Sequence, residues 1–143
     1  MPGMYERFGV QFMYPENWEI QEEQDDGWPK MVTVQSPGGA FWTLHVYEGG
    51  VNLPELVREA VEALRAEYPE LEAEELTTCE DADYGYDLNF YYLDLIVMAQ
   101  IRGTLLPDKA LVWLIQGESR EFDEFTPVFQ AMILSLLGKV PKQ

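Results

Sequence analysis

Residues 84–106 are a long run rich in aromatic and aliphatic side chains, longer than the strands of an ordinary domain. The run is rich in residues that favour extended backbone, so it has to fold back on itself. Leu93-Asp94 is the expected reversal, giving one strand over residues 84–92 and a second over 95–106. Pro107, Asp108 and Lys109 supply the next turn, and residues 110–116, rich in Leu, Val and Trp, make a third strand. A meander of this kind commits the chain to an antiparallel sheet with a buried face, which the remaining segments must extend or cover.

Upstream, Phe8, Val10 and Phe12 alternate with polar or smaller neighbours, Pro15, Glu16 and Asn17 interrupt, and Trp18 and Ile20 resume the period of two. That pattern predicts strand, turn, strand. Residues 22–30 crowd charges with Gly27 and Pro29 into a loop, and residues 31–35 return to β-branched alternation. Ser36, Pro37, Gly38 and Gly39 predict a tight reversal into a strand over residues 40–48. A helix is expected from Asn52, with Glu55 as its capping-box partner, Leu53, Leu56, Val57, Ala60, Val61, Leu64 and Tyr68 as one apolar stripe, and Pro69 as its end. Leu76, Thr77 and Thr78 predict an exposed strand. The strongest helical period follows the meander, at Phe125, Val128, Phe129, Met132, Ile133, Leu136 and Leu137. Asp123 or Thr126 would cap this second helix, Pro127 would sit in its first turn, and Gly138, Lys139 and Lys142 would close it. These elements predict an α+β fold in a single domain over residues 1–143, with a central antiparallel sheet of about six or seven strands and two amphipathic helices.

Charge narrows the partners. Nine Lys and Arg against 26 Asp and Glu leave a net charge of −17, which repels phosphate backbones and anionic lipid and argues against nucleic acid and membranes. The same field favours a protein partner with a basic surface, although a charge of this sign also suits adaptation to salt. No apolar run nears the roughly 18 residues that span a bilayer, and residues 1–9 show no signal-peptide pattern, so a cytoplasmic location is expected. A single cysteine, Cys79, excludes an internal disulfide and any multi-cysteine metal site.

Three stretches, Tyr14-Pro15-Glu16-Asn17-Trp18, Ala110-Leu111-Val112-Trp113-Leu114 and Glu121-Phe122-Asp123-Glu124-Phe125, sit in the order strand pairs, helix, meander, terminal helix. In that arrangement the chain resembles the PsbP-like superfamily over nearly its whole length. The superfamily includes photosystem extrinsic subunits, import factors that bind the small GTPase Ran, and bacterial chaperones that hold secretion effectors. The resemblance implies a central antiparallel sheet with helices packed on it and a role in binding another protein. It implies no catalytic residue at any position of this sequence and no cofactor.

The residues themselves point the same way. His45 is the only imidazole, and a catalytic or metal site would have to recruit Cys79 or carboxylates from distant segments. Cys79 lies beside Glu80 and Asp81, whose charge disfavours a thiolate. Glu80, Asp81, Asp83 and Asp87 could attract a hard cation, but the twelfth position counted from Asp81 is Tyr92, which fails the EF-hand pattern, and a solvated acidic tip is expected. Asp25 and Asp26 are a weaker case of the same kind. On alternate strand positions, Thr43, His45 and Tyr47, then Asp87, Asn89 and Tyr91, then Gln100, Arg102 and Thr104 oppose Trp42, Leu44, Val46, Leu88, Phe90, Ala99 and Ile101. This predicts one apolar and one mixed sheet face, with His45, Tyr47, Asn89, Tyr91, Gln100 and Arg102 as a binding surface. The expected function is therefore a non-enzymatic protein-binding, adaptor or chaperone-like domain. The rival is a small-ligand protein or enzyme with a pocket around His45, Tyr91 and Arg102, the arginine clamping a carboxylate.

Overall fold

The computed structural model of the protein describes residues 2–23 and 27–138. Strands β1 (Gly3–Arg7) and β2 (Val10–Tyr14) form a separate antiparallel hairpin. They are followed by β3 (Glu19–Glu22), β4 (Lys30–Gln35), β5 (Phe41–Glu48), helix α1 (Leu53–Glu67), β6 (Glu72–Glu75), β7 (Tyr84–Tyr92), β8 (Leu95–Leu105), β9 (Lys109–Glu118) and helix α2 (Ser119–Leu136). Strands β3 to β9 make one seven-stranded sheet in the order β3-β4-β5-β9-β8-β7-β6, antiparallel throughout. The fold is α+β, as the sequence predicts, and the β7–β8–β9 meander has the predicted turns.

Four local expectations are corrected. Phe8 is a turn residue and not part of a strand: Phe8 and Gly9, at φ 55° and 76°, join β1 to β2, and Arg7 lies 4.5 Å from the Phe8 ring. The strand expected at Leu76, Thr77 and Thr78 lies earlier, at β6, because pairing with β7 ends when the Leu76 N–H donates to the Gly85 carbonyl at 2.9 Å. Helix α2 begins well before Asp123 or Thr126. Strand β9 runs straight into it, and the Glu118 carboxylate caps it by accepting from the Arg120 N–H at 3.1 Å. Pro127 is therefore interior, where it deletes one helical hydrogen bond, and the Thr126 hydroxyl donates to the Phe122 carbonyl at 2.6 Å in the same turn. The remaining expectations at Asp25, Asp26, Lys139 and Lys142 lie outside the described residues.

Two cores flank the sheet. On one face, Leu53, Val57 and Val61 of α1 pack over Leu88, Phe90, Ala99, Ile101 and Val112. On the other, Phe129, Met132 and Ile133 of α2 and the β1–β2 hairpin cover Val34, Trp42, Leu44, Leu111 and Trp113. The Trp18 ring meets Phe125 at 5.2 Å and Phe129 at 5.4 Å, both edge-on, while the Trp18 backbone N–H donates to the Pro15 carbonyl at 3.0 Å. Tyr14-Pro15-Glu16-Asn17-Trp18 is thus a turn that delivers an aromatic anchor beneath α2. Full burial of such a ring is worth about 1.5–3 kcal/mol. The hairpin is also tied to the sheet edge, since Tyr5 donates to Glu22 at 2.9 Å and Arg7 pairs with the same carboxylate at 2.6 Å.

Candidate functional site

Strand pairing divides the side chains expected to share one surface. His45 lies opposite Val112 and Tyr47 opposite Ala110, both of the core under α1. Arg102 lies opposite Trp113, of the core under α2, and Gln100 lies opposite Asp87. His45 and Tyr47 therefore face the α1 side, whereas Asn89, Tyr91, Gln100 and Arg102 face the α2 side. The apolar set divides likewise: Trp42, Leu44 and Val46 face α2, and Leu88, Phe90, Ala99 and Ile101 face α1. His45, Tyr91 and Arg102 consequently share no pocket, which corrects the rival reading of the sequence.

On the α1 side, a cleft of about 400 Å³ separates the helix from β5. Its floor is Ile101, Val112 and Leu114, its helix wall is Leu56, Ala60 and Leu64, and its strand wall is His45 and Tyr47. The His45 and Tyr47 rings lie 6.4 Å apart and 26° from parallel. Burial pushes the His45 imidazole below the ordinary histidine range, opposed by its bond to the Val112 backbone and by the charge of Glu23. Burial raises the Tyr47 phenol, and the Glu59 carboxylate adds to the shift.

The opposite side is more polar. Arg102 reaches across β7, donating to the Tyr86 carbonyl at 2.8 Å and pairing with Asp87 at 2.7 Å. The crossing needs Gly85, since a Cβ there would stand 2.7 Å from Arg102 Cδ. Arg102 is already partnered by a carboxylate of its own chain, which removes it as a clamp for an incoming one. Beside it a pocket of about 230 Å³ is lined by Cys79, Asp81, Gln100 and Gln130. The acidic loop is not a freely solvated tip: Asp81 accepts from Gln130 at 2.7 Å, and Asp83 accepts from the Leu105 N–H at 2.9 Å and the Thr104 hydroxyl at 3.2 Å. Among the described residues no group of three or more His, Cys, Asp or Glu side chains could hold a metal ion.

Of the side chains at the β7–β8 tip, only Tyr91 is expected from sequence at a binding surface. The β7–β8 hairpin ends in Tyr91, Tyr92, Leu93, Asp94, Leu95 and Ile96, with Tyr91 74% and Leu93 79% exposed. Leu93 and Asp94 lie at φ 49° and 65°, the combination of a type I′ turn, which asparagine and glycine adopt readily and leucine does not. The hairpin is rooted by Tyr68, stacked on Phe90 at 4.0 Å and edge-on to Tyr92 at 6.1 Å. The Leu93-Asp94 reversal was legible in the sequence; that the flanking apolar residues stay uncovered was not, because it depends on how far the helices on both faces of the sheet reach.

A seven-stranded antiparallel sheet with a helix on each face and an N-terminal hairpin defines an α+β protein of PsbP-like fold. The solution structure of cyanobacterial PsbP (CyanoP) from Synechocystis sp. PCC 6803 superposes with a TM-score of 0.62, covering 94% of this chain and 90% of that one at 13% identity. The likeness is one of fold. No protein-family model matches the sequence, and no curated protein matches it either. Among the described residues no helix is long and apolar enough to cross a membrane.

Proposed function

We propose that residues 1–143 form a single non-enzymatic adaptor or chaperone-like domain that binds another protein through the β7–β8 hairpin tip and the adjoining α2-side strip of Asn89, Tyr91, Gln100 and Arg102. The observation that carries this reading is Leu93. A leucine at positive φ costs roughly 1–2 kcal/mol that glycine would not, and its side chain is left in water. Strain retained where an apolar group gains no burial points to a contact made with something else. Glu67 and Glu70 line the depression beside Tyr91, and Asp94 occupies the turn, so the partner that fits is apolar at its centre and basic around it. A cytoplasmic setting belongs to the same proposal. His45 and Tyr47, on the other face, are outside this surface.

The test exchanges Leu93-Asp94 for Asn-Gly. The variant should be more stable by about 1–2 kcal/mol, through relief of turn strain, and should lose the partner that the unaltered chain recovers stoichiometrically from native extract at low salt. Tyr91→Ala should weaken capture by about 1–2 kcal/mol with an unchanged melting temperature, as expected of an interface residue. Undiminished capture by both variants rules the tip out as the contact surface.

A further inference from the structure

We propose that the cleft between α1 and β5 is a binding site for a small organic ammonium, an amine carried on an aromatic or aliphatic body. The site exists because α1 is seated off-centre. Leu53, Val57 and Val61 are buried over β7, β8 and β9, drawn in where Gly103 of β8 offers no side chain: a Cβ there would stand 2.6 Å from Val57 Cγ2. The other half of the same apolar stripe, Leu56, Ala60 and Leu64, is left only partly covered and forms the helix wall of the cleft.

The walls select the ligand. An aliphatic floor favours an apolar body, and the strand wall includes Tyr47, a ring of the kind whose π-face attracts cations. The charged groups lining the cleft are the carboxylates of Glu59 and Glu67, and no lysine or arginine is among the described lining residues. His45 adds no positive charge at neutral pH, because burial favours its neutral form. Glu59 acts across the cleft on Tyr47, so its field reaches the interior. A cavity of about 400 Å³ falls within the range of small-molecule sites. Apolar body, aromatic wall and carboxylate rim together match an amine and reject a carboxylate of the same shape.

The experiment uses the whole chain and three probes of one shape, phenethylammonium, 2-phenylethanol and phenylacetate, followed by amide chemical shifts. Phenethylammonium should shift α1 and β5 saturably, the alcohol should bind more weakly by about threefold to tenfold, and phenylacetate should not bind. Glu59→Gln and Glu67→Gln, both at exposed helix positions, should each weaken the ammonium and leave the alcohol unchanged, while Ala63→Trp at the mouth should block both. The proposal is overturned by equal affinities for the three probes, by shifts centred elsewhere, by ammonium binding indifferent to both glutamate variants, or by no saturable binding of the ammonium. Glu67 also borders the depression beside Tyr91, whereas Glu59 lines only the cleft, so the probe shifts and Glu59→Gln test the cleft separately from the tip.

Discussion

His45 is half-buried on β5, and its imidazole is held below the ordinary histidine range chiefly by burial. As pH falls through about 6.5, the ordinary histidine value, the unfolded chain takes up a proton that the folded chain resists. The unfolded state then binds more protons, and stability drops with acidification. Comparing unfolding free energies of the unaltered chain and His45→Gln from neutral to mildly acidic pH should show the unaltered chain losing more. Parallel pH profiles would mean that the imidazole is as well solvated folded as unfolded. Arg102 shows how far residue type carries a prediction. An arginine on a polar strand position was legible as a recognition group, but its partners, the Tyr86 carbonyl and Asp87, depend on Gly85 leaving room for the side chain to cross β7.

At the level of elements, the seat of α1 decides most. Its stripe, its Asn52 cap, accepting from the Glu55 N–H at 3.3 Å, and its end before Pro69 were all readable from sequence. Which half of the stripe is buried was not, since Leu53, Val57 and Val61 are no more apolar than Leu56 and Leu64. Gly103 breaks that tie by letting the helix approach β8. Gly103→Ala should therefore destabilise by about 1–3 kcal/mol, the usual cost of an added core group that cannot be accommodated, despite alanine's lower backbone entropy cost in a strand. Denaturant unfolding should show the loss, and adding Val57→Ala should recover part of it through coupling of touching sites. A stabilising Gly103→Ala would place the helix farther from the strand. Helix α2 is legible by its period, but it starts before that period does, because β9 passes into it without a loop.

Over the whole molecule, a charge of −17 sets a repulsion that no single ion pair offsets. Both sheet edges carry part of it, β3 as Glu-Ile-Gln-Glu and β6 as Glu-Ala-Glu-Glu, which discourages edge-to-edge pairing between copies. Sodium chloride raised from about 0.02 to about 0.3 M shortens the screening length severalfold. The melting temperature should rise by a few degrees, corresponding to about 1 kcal/mol at this chain length. A flat response would mean that the carboxylates are spaced too widely to repel one another.

The order of the amino acids sets the elements, because period, caps and turn residues act locally: the meander, the Ser36–Gly39 reversal, both helices, and a sheet of the right size. Their composition sets the charge, and with it the classes of partner that are disfavoured. Which side chains meet depends on strand pairing in the folded chain. The parity of one strand relative to another passes through the strand between them, and β9, between β5 and β8, is apolar on both faces, with the consecutive residues Leu111, Val112 and Trp113 all buried. A strand buried on both sides carries no alternation to transmit. His45 and Arg102, each correctly placed on a polar strand position, are therefore assigned to opposite faces only by the pairing of His45 with Val112 and of Arg102 with Trp113.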